Sequence, residues 1–319
     1  MFNTFVKPLC LSVFLTFILV ACSEEPQTPM RAGTNVWPGY EPAYLAKDLG
    51  YYDKNFIRLS QFQSATESIR AFRNSAIDVV ALTLDEALLL IQDGIDVQIF
   101  LVADISDGGD VIMSKPDYNN IAELKGRKIG VESSALGGYV LARALDIHGV
   151  KFTDVEQVYL TVDESEQAYL AGDVDAVVTF EPYRLRLLRA GAHEVFSSRE
   201  MPNEIVDVLV VRSAYAAKNA EKIKQLTSGW FKAVDVIKND PEQAAKLIGK
   251  RLNLSPKEVI SSFEGLILPD AALSTNLLTK GTPISLNESA LKLEKVLVKL
   301  GLLKAHVSLQ GTFTNTYLQ

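Results

Sequence analysis

Polar and aromatic side chains gather just after the predicted strands of this 319-residue chain. In open α/β sheets a ligand binds beyond the carboxyl ends of the strands, so residues at those positions are the first candidates for chemistry. Aromatic rings there can stack on a flat or apolar ligand, and carboxylates can accept hydrogen bonds from it. The residues that we expect to contact a ligand are Trp37, Tyr40, Ser64, Thr66, Thr83, Asp85, Asp107, Asp110, Glu132, Ser133, Ser134, Gly137 and Glu181.

The same loops also begin helices, which gives them a second source of binding groups. The first backbone N–H groups of a helix have no partner within the helix, and they can hold an oxygen atom of a ligand. Each candidate also has a purely structural explanation. The hydroxyl residues could be helix caps, Trp37 could belong to the core, and Asp107 and Asp110 could be solvated residues of a hinge. Likewise, Glu132 and Glu181 could face solvent.

The chain has few of the residue patterns that mark enzymes or metal sites. Its three histidines are not spaced as metal ligands. We find no nucleophile elbow of the form G-x-S-x-G, no Walker loop and no G-x-G-x-x-G sequence after a strand. The acidic segment Asp104–Asp110 resembles a calcium loop only superficially, because its spacing differs. We therefore expect no enzyme activity, no catalytic residues, no metal site and no cofactor.

The N-terminus carries the pattern of a bacterial lipoprotein signal peptide. Lys7 precedes an uncharged apolar run that is too short for a mature transmembrane helix, and the run ends in Leu19-Val20-Ala21-Cys22. This pattern predicts a signal peptide over residues 1–21, lipidation of Cys22 and a tether over residues 22–30. Two or three acyl chains would hold the protein stably on a membrane. The alternative is an ordinary cleaved signal peptide followed by a chance cysteine.

Composition argues against several other classes of protein. The formal net charge is −7 and the sequence has no basic runs, which argues against a nucleic-acid partner. The other cysteine, Cys10, lies in the predicted signal peptide, so we expect no disulfide within the exported chain. No later stretch is apolar and long enough for a membrane span. We expect a monomer that is lipid-anchored on the periplasmic or extracellular face of a membrane.

Short apolar runs alternate with amphipathic helical stretches from residue 31 onward. This alternation is typical of parallel or mixed sheets covered by helices on both faces. Two such α/β blocks, followed by an apolar strand and an almost purely helical C-terminus, predict two lobes joined by a two-strand hinge. The boundaries that we predict are 31–108 for the first part of lobe one, 109–207 for lobe two, and 208–319 for the return strand and C-terminal helices of lobe one.

Several motifs, taken in their order along the chain, resemble a family of substrate-binding proteins. The segment Trp37–Tyr52 resembles the first helix of the binding proteins for nitrate, sulfonate, taurine and thiamine-pyrimidine precursors, the NMT1/THI5-like group. The segments Leu124–Val131, Gly172–Ala176 and Asn239–Ala245 also match. The resemblance implies an α/β architecture, the type II periplasmic-binding-protein fold, in which a ligand is clamped between two lobes and the helical C-terminus packs on lobe one.

Family position and charge together indicate the ligand. The resemblance implies that Trp37, Thr83 and the loop 133–137 contact it. Nitrate and sulfonate need a cation in the site, but the candidate loops contain no Lys or Arg, and Arg184 is the nearest basic residue. We therefore expect an amine or an aminopyrimidine rather than a sulfonate or nitrate.

The function that the resemblance implies is that of a lipid-anchored extracytoplasmic solute-binding protein. It would capture a small polar molecule between its lobes and deliver it to an ABC permease in the inner membrane. Two alternatives stay open at this point. One is a ligand-sensing lipoprotein that signals to a membrane sensor without transport, and the other is an exported enzyme on the same scaffold.

Overall fold

The computed structural model describes residues 28–318. The predicted signal peptide, the predicted lipidation site Cys22 and most of the predicted tether lie outside the described residues. Among the helices of residues 28–318, none combines the length and the apolar character needed to cross a membrane.

Strands and helices alternate along most of the described chain. The strands are β1 (Met30–Thr34), β2 (Ile57–Gln61), β3 (Val79–Thr83), β4 (Val97–Ser106), β5 (Val111–Ser114), β6 (Lys128–Val131), β7 (Glu156–Tyr159), β8 (Ala176–Thr179), β9 (His193–Ser197), β10 (Val206–Arg212) and β11 (Leu266–Ile267). The α-helices are α1 (Glu41–Asp48), α2 (Ala65–Arg73), α3 (Leu84–Gln92), α4 (Ala135–Ile147), α5 (Val162–Ala171), α6 (Tyr183–Arg189), α7 (Ser213–Ala216), α8 (Ala220–Asn239), α9 (Pro241–Leu252), α10 (Pro256–Phe263), α11 (Ala271–Leu278) and α12 (Leu286–Lys299).

Six strands form the sheet of lobe one, in the order β11-β4-β10-β3-β1-β2. Strand β1 pairs in parallel with β2 and β3, whereas β10 runs antiparallel to both β3 and β4. Apolar residues dominate β3 and β10, and nearly every residue of the two strands is buried. Central strands that are covered on both faces need such continuous apolar sequences. These two strands therefore form the centre of lobe one.

The sheet of lobe two has five strands in the order β7-β6-β8-β5-β9. Strand β6 is parallel to β7 and β8, while β5 is antiparallel to β8 and β9. Helices α4 and α5 pack on β6 and β8, and α6 packs on β5. Lobe two is thus an α/β unit with its own sheet.

The chain crosses between the two sheets twice. The first crossing follows β4, which ends at Ser106, and leads into β5 at Val111. The second leads from β9, which ends at Ser197, to β10 at Val206. The hydroxyl groups of Ser106 and Ser198 lie 2.8 Å apart, so a hydrogen bond ties the two crossings together. A pair of adjacent connections of this kind can act as a hinge between lobes.

The helical C-terminal region packs on lobe one. Helix α8 lies against α1, and its residue Trp230 is fully buried in the core that they share. Helix α11 packs on β4, and α12 packs on α3. The end of the chain returns to the sheet, where Phe313 forms a β-bridge with Ile99. The predicted α/β fold, with two lobes, a two-strand hinge and a helical C-terminus on lobe one, is confirmed.

Four elements are missing from the sequence-based prediction, namely the strands β9 and β11 and the helices α7 and α11. The sequence of β9 is HEVFS, in which polar residues obscure any strand alternation, and β11 has only two residues. Helix α11 contains Ser, Thr and Asn, which are weak helix formers, and its N-cap Asp270 accepts the Leu273 N–H at 2.8 Å. Pairing with β5 and β4 therefore creates strands that the local sequence does not predict.

Candidate functional site

A cavity lies between the two lobes, beside the hinge. The free space in it is about 30 Å³, so a ligand of more than a few atoms requires the lobes to move apart. Lobe one contributes Asn35, Trp37, Tyr40, Ala65, Thr83, Glu86 and Asp207 to the wall, and lobe two contributes Asp110, Glu132, Ser134, Leu136, Gly137, Val162, Val178 and Phe180. The cavity is therefore a joint product of both lobes.

Antiparallel pairing brings three polar residues together at one end of the sheet of lobe one. In the register of β10, Asp207 lies opposite Thr83 of β3 and opposite Asp104 of β4. Residues directly opposite each other in an antiparallel pair have neighbouring side chains on the same face of the sheet. The pairing therefore collects a hydroxyl group and two carboxylates beside the hinge.

A 3-10 turn that follows Trp37 brings hydrogen-bond donors to these two carboxylates. The Trp37 indole N–H donates to Asp104 Oδ2 at 2.9 Å, and the Tyr40 hydroxyl donates to Asp207 Oδ1. Gly39 permits this approach, because a Cβ atom at that position would overlap both the Asp104 carboxylate and the Trp37 indole nitrogen. The sequence Trp-Pro-Gly-Tyr thus anchors the inner wall of the cavity.

Two further carboxylates of the wall have oxygen atoms without donors. Glu86, in the first turn of α3, accepts the Thr83 backbone N–H through Oε2 at 3.2 Å. Its other oxygen, Oε1, and Asp110 Oδ2 are both buried, and no described residue places a donor on either with good hydrogen-bond geometry, although the Ser134 and Ser106 hydroxyl groups lower the pKa of Glu86 and Asp110 slightly against the effect of burial. Leaving a buried acceptor unpaired costs about 1–3 kcal/mol, and more for a charged one. These two oxygen atoms therefore favour a ligand that brings N–H or O–H donors.

Glu132 links the two lobes across the cavity. It follows β6 of lobe two, and its Oε1 accepts the backbone N–H and the hydroxyl of Thr66, each at 3.0 Å. Thr66 lies in the first turn of α2 in lobe one, where backbone N–H groups need outside acceptors. Gly137 lets α4 begin close to Glu132, because a Cβ there would lie 2.7 Å from the Glu132 carbonyl oxygen. A carboxylate of one lobe therefore caps a helix of the other.

Apolar side chains form the rest of the wall. The rings of Phe180 and Trp37 meet edge to face, with centroids 5.3 Å apart, and those of Phe180 and Tyr183 meet in the same way at 6.0 Å. The aliphatic lining consists of Leu136, Val162 and Val178. A ligand in this cavity would touch both carboxylates and apolar surface, the combination that is typical of small-molecule sites.

Burial raises the pKa of each carboxyl group in the wall. It raises the pKa of Asp110 to about 7. Burial, aided by nearby carboxylates, places the pKa of Asp207 well above its ordinary value and also raises that of Glu86. Burial also raises the pKa of Glu132. These upward shifts show that burial outweighs the hydrogen bonds that Asp207 accepts from Tyr40 and Glu132 accepts from Thr66.

Basic side chains stay away from the cavity. Within residues 28–318, no lysine or arginine lines it. Arg184 donates to Glu181 Oε1 at 3.0 Å and to Glu194 Oε2 at 3.1 Å, so its guanidinium is already paired. The described part of the chain also holds no group of three or more His, Cys, Asp or Glu side chains arranged to bind a metal ion.

The wall brings together part of the predicted set of contacts. The predicted residues that line it are Trp37, Tyr40, Thr83, Asp110, Glu132, Ser134 and Gly137. They follow different strands of both sheets, and the fold gathers them at the edge where the two lobes face each other.

Three predicted residues of lobe one lie outside the wall. The Ser64 hydroxyl accepts the Glu67 N–H at 3.2 Å and so caps α2. Thr66 contacts Glu132 instead of lining the cavity. Asp85 is buried in the first turn of α3, and burial raises its pKa. These residues stand behind the wall and do not form its surface.

Three predicted residues near lobe two also lie outside the wall. The side chains of Asp107 and Ser133 are exposed to solvent. Glu181 is buried but turns toward Arg184. Each of the three comes after a strand as expected, yet its side chain points elsewhere.

The wall also contains residues that sequence reasoning did not select. They are Asn35, Ala65, Glu86, Val162, Val178, Phe180 and Asp207, whereas Leu136 belongs to the predicted loop 133–137. Asp207 carries the one charge in the apolar run 206–211, and a charged residue in a buried strand is itself a signal of a site. Asp104, which holds Trp37 in place, is the same kind of signal in the run 97–105. Glu86 was hidden because its capping-box position already explains an acidic residue.

Sequence comparison identifies relatives over most of the chain. The model of the NMT1-like family matches residues 23–250. A protein of Escherichia coli (strain K12) named for binding aliphatic sulfonates is 28% identical over 153 residues, 48% of this chain and 48% of that protein. The chain thus aligns with about half the length of that relative. A protein of Brucella abortus (strain 2308), described as a binding protein, is 25% identical over 266 residues, 77% of this chain and 78% of its own length.

Structural comparison identifies the same architecture in a solved protein. The alkanesulfonate-binding protein SsuA of Xanthomonas axonopodis pv. citri superposes with a TM-score of 0.74. The match covers 89% of this chain and 96% of that chain, at 17% sequence identity. At that level of identity the similarity establishes the fold, which is that of a two-lobed periplasmic binding protein.

Proposed function

The chain belongs to the NMT1-like family, and from this premise we propose that it is a solute-binding protein that encloses a small organic cation between its lobes. The observation that carries this proposal is the charge of the cavity. Glu86, Asp110, Glu132 and Asp207 line it, and no basic residue of the described chain does. The ligands that we favour are an amine and a protonated aminopyrimidine.

Electrostatics favours a cation over an anion at this wall. Two unit charges 4 Å apart interact by about 4 kcal/mol at an effective dielectric constant of about 20. An ammonium group would favour the ionised forms of Asp110 and Asp207, whose pKa values burial raises, and it would be attracted to them by that order of energy. A sulfonate in the same place would meet no cation and would be repelled by whichever of these groups is ionised. The relatives from Escherichia coli and Xanthomonas carry names for sulfonate binding. Ligand charge is therefore the property in which we expect this chain to differ from them.

Hydrogen bonding supports the same class of ligand. Glu86 Oε1 and Asp110 Oδ2 are acceptors on which residues 28–318 place no donor with good hydrogen-bond geometry. An ammonium group brings three N–H donors, and a protonated aminopyrimidine brings donors on more than one nitrogen. The rings of Trp37 and Phe180 offer aromatic surface to the rest of the ligand, which adds cation–π attraction.

Closure of the lobes would hold the ligand, and opening would release it to an ABC permease in the inner membrane. The hydrogen bonds from Thr66 to Glu132 are contacts that such a closed form uses. We further propose that Cys22 carries a lipid anchor and that the protein works on the periplasmic or extracellular face of the membrane. The lobe boundaries that we propose follow the predicted 31–108, 109–207 and 208–319, with the second boundary moved to between 205 and 206 because β10, which begins at Val206, belongs to the sheet of lobe one.

Isothermal titration calorimetry of the purified protein tests the proposal. Methylamine, ethylamine and 4-aminopyrimidine are compared with nitrate, taurine and methanesulfonate. We expect the cations to bind and the anions to give no heat. Asp110→Asn should weaken cation binding at least about tenfold, while the exposed control Asp173→Asn should not change it.

Two results would contradict the proposal. Binding of methanesulfonate or nitrate without binding of amines would overturn the ligand class. Conversion of a bound amine, detected by mass spectrometry of the recovered ligand, would show an enzyme instead of a binding protein.

A further inference from the structure

The carboxyl group of Asp104 lies behind the wall of the cavity. Asp104 belongs to β4, is fully buried and is not one of the residues that line the cavity. Its Oδ2 accepts the Trp37 indole N–H at 2.9 Å, and Trp37 does line the cavity. Asp104 can therefore act on a ligand only through its charge or through a neighbour such as Trp37.

Asp207 is a natural comparison for Asp104. The two residues lie opposite each other in the pairing of β10 with β4. The turn that follows Trp37 supplies a donor to each, the Trp37 indole N–H to Asp104 and the Tyr40 hydroxyl to Asp207. Asp207 lines the cavity and Asp104 does not. Two carboxyl groups with similar neighbours thus differ in whether they border the space for the ligand.

The Trp37 indole contacts three parts of the molecule. It donates to Asp104 of lobe one, and its ring meets Phe180 of lobe two edge to face. It also packs on the first hinge crossing, where a Cβ atom on Gly109 would lie 2.8 Å from Trp37 Cη2. The hydrogen bond is the directional contact of the three, and an indole has a single N–H donor. This bond therefore fixes how the ring is turned.

The charge of Asp104 is the less important of its two routes to a ligand. Burial raises the pKa of Asp104 to about 8, although the hydrogen bond from Trp37 opposes the shift. A protonated carboxyl group still accepts an N–H through its carbonyl oxygen, but it attracts a cation much less. Asp207 borders the ligand, so a bound cation favours its ionised form more than that of Asp104 behind the wall. The hydrogen bond to Trp37 is the route that remains.

We infer that Asp104 is a positioning residue of the ligand site, which sets ligand affinity by holding the Trp37 indole in place in the cavity wall. This inference rests on the proposed cation site. Without Asp104 the indole N–H would be buried without an acceptor, and the ring would turn toward another one. A ring that is fixed before the ligand arrives saves the cost of ordering it on binding.

Titration of two Asp104 variants tests the inference with the purified protein at about pH 6.5, below the raised pKa of Asp104. The probes are methylamine and 4-aminopyrimidine, and each one that binds the unchanged protein is used. Asp104→Leu keeps a similar volume but removes the acceptor, so affinity should fall about tenfold. Asp104→Asn keeps an oxygen that can accept the indole N–H, so affinity should stay within about threefold.

A double-mutant cycle shows whether Asp104 acts through the indole. Trp37→Phe keeps an aromatic ring but has no N–H to donate. In that background Asp104→Leu should change affinity about twofold or less, because the bond that it removes is already absent. A similar tenfold loss in both backgrounds would show that Asp104 acts without Trp37, and the inference would be wrong.

The indole N–H signals in a proton–nitrogen correlation NMR spectrum report the bond itself. The chain has two tryptophans, and within residues 28–318 the buried Trp230 Nε1 has no hydrogen-bond acceptor. Trp230 is therefore an internal control for Trp37. Asp104→Leu should shift the Trp37 signal upfield, as expected for a lost hydrogen bond, and leave the Trp230 signal in place. A purely structural Asp104 would change stability without this shift and without the loss of affinity.

The remaining outcomes are also decisive. Equal losses of affinity in Asp104→Asn and Asp104→Leu would assign the effect to charge and overturn the inference, as would full affinity in Asp104→Leu. If Asp104→Leu does not fold, Trp37→Phe decides, because unchanged affinity in that variant would show that the anchored N–H does not matter. No binding of either amine by the unchanged protein would instead overturn the proposed cation site, and the inference with it.

Discussion

Glu204 and Asp207 lie close together at the second hinge crossing, and a tyrosine hydroxyl donates to each. Tyr139 donates to Glu204 Oε2 at 2.6 Å, and Tyr40 donates to Asp207 Oδ1. Glu204 also receives two N–H groups of Arg143, each at 2.8 Å. Asp207 has no such partner among the described residues, and its charged neighbours are other carboxylates. Similar groups thus have opposite electrostatic surroundings.

The two carboxyl groups consequently titrate in opposite directions. Burial raises the pKa of Glu204, but hydrogen bonds from Arg143 and Tyr139 outweigh it, and the net shift is downward. The pKa of Asp207 lies well above its ordinary value, first because of burial and then because of Asp104. A paired carboxylate supports the fold, whereas a buried unpaired one lowers stability and attracts a cationic ligand. In this protein, therefore, a carboxylate of the proposed site such as Asp207 lacks a protein counter-ion, whereas a structural carboxylate such as Glu204 has one.

The largest effect that we expect is on ligand affinity in Asp207→Asn. Asparagine keeps the shape of the side chain and can still accept the Tyr40 hydrogen bond, but it removes the negative charge. Truncating one member of a buried charge pair typically costs about 2–5 kcal/mol, so amine affinity should fall about 100-fold in calorimetric titration. The stability of the ligand-free protein in urea should not fall. Unchanged amine affinity would remove Asp207 from the site.

Glu204→Gln should have the opposite result, namely lower stability with unchanged amine affinity. Arg143 would lose the charge of its bidentate partner, so we expect the free energy of unfolding in urea to fall by about 2 kcal/mol. Amine affinity should stay within about twofold of the unchanged protein, because Glu204 does not line the inner cavity. Loss of affinity without loss of stability would mean that the two carboxylates have been assigned to the wrong roles.

The contrast between carboxyl groups with raised and with lowered pKa values also predicts how the stability of the protein depends on pH. Asp110 keeps its proton in the folded protein up to a pKa of about 7, whereas an unfolded chain releases it near a pKa of about 3.9. Between these values the folded state binds more protons than the unfolded state, so stability falls as pH rises. Urea unfolding without ligand should show a loss on the order of 2 kcal/mol from about pH 5 to about pH 8.

Two variants sharpen that measurement. Asp110→Asn should reduce the decline without abolishing it, since Glu86, Glu132 and Asp207 also have raised pKa values in the folded protein. Glu204→Gln should retain it, because a carboxyl with a lowered pKa contributes stability that is lost only as pH falls through the acidic range. Stability that rises between about pH 5 and about pH 8 would show that the carboxyl groups of the cavity are compensated after all.

The sequence predicts the site residues that follow parallel strands better than it predicts those of the antiparallel strand β10. Strand direction explains the difference. Trp37 and Thr83 follow strands of lobe one that run in parallel, so the rule about carboxyl ends finds them. Strand β10 runs the opposite way, and Asp207 lies near its amino end, where that rule does not look. Periodicity is enough to predict two α/β lobes, but it does not reveal which strand returns antiparallel.

The direction of a side chain is the second property that sequence does not provide. Asp110 and Glu181 are both acidic residues of hinge or cleft loops, and both are buried. Glu181 meets Arg184 within its own helical turn, whereas Asp110 faces the cavity. Only the packed structure shows which carboxylate has a guanidinium beside it, and that pairing decides the role of each.

The smallest effect that we expect concerns Glu132, whose carboxylate accepts hydrogen bonds from uncharged donors of the opposite lobe. Thr66→Val keeps the shape and the backbone N–H but removes the hydroxyl that donates to Glu132 Oε1. A hydrogen bond of this kind contributes about 1 kcal/mol, so ligand dissociation, followed by stopped-flow tryptophan fluorescence, should quicken about fivefold. Thr275→Val is the control, because the Thr275 hydroxyl donates within α11 to the Ala271 carbonyl at 2.7 Å and should leave the rate unchanged. If Thr66→Val lowers stability without changing the dissociation rate, the hydroxyl supports lobe one alone, and Glu132 then belongs with Glu204 among the structural carboxylates.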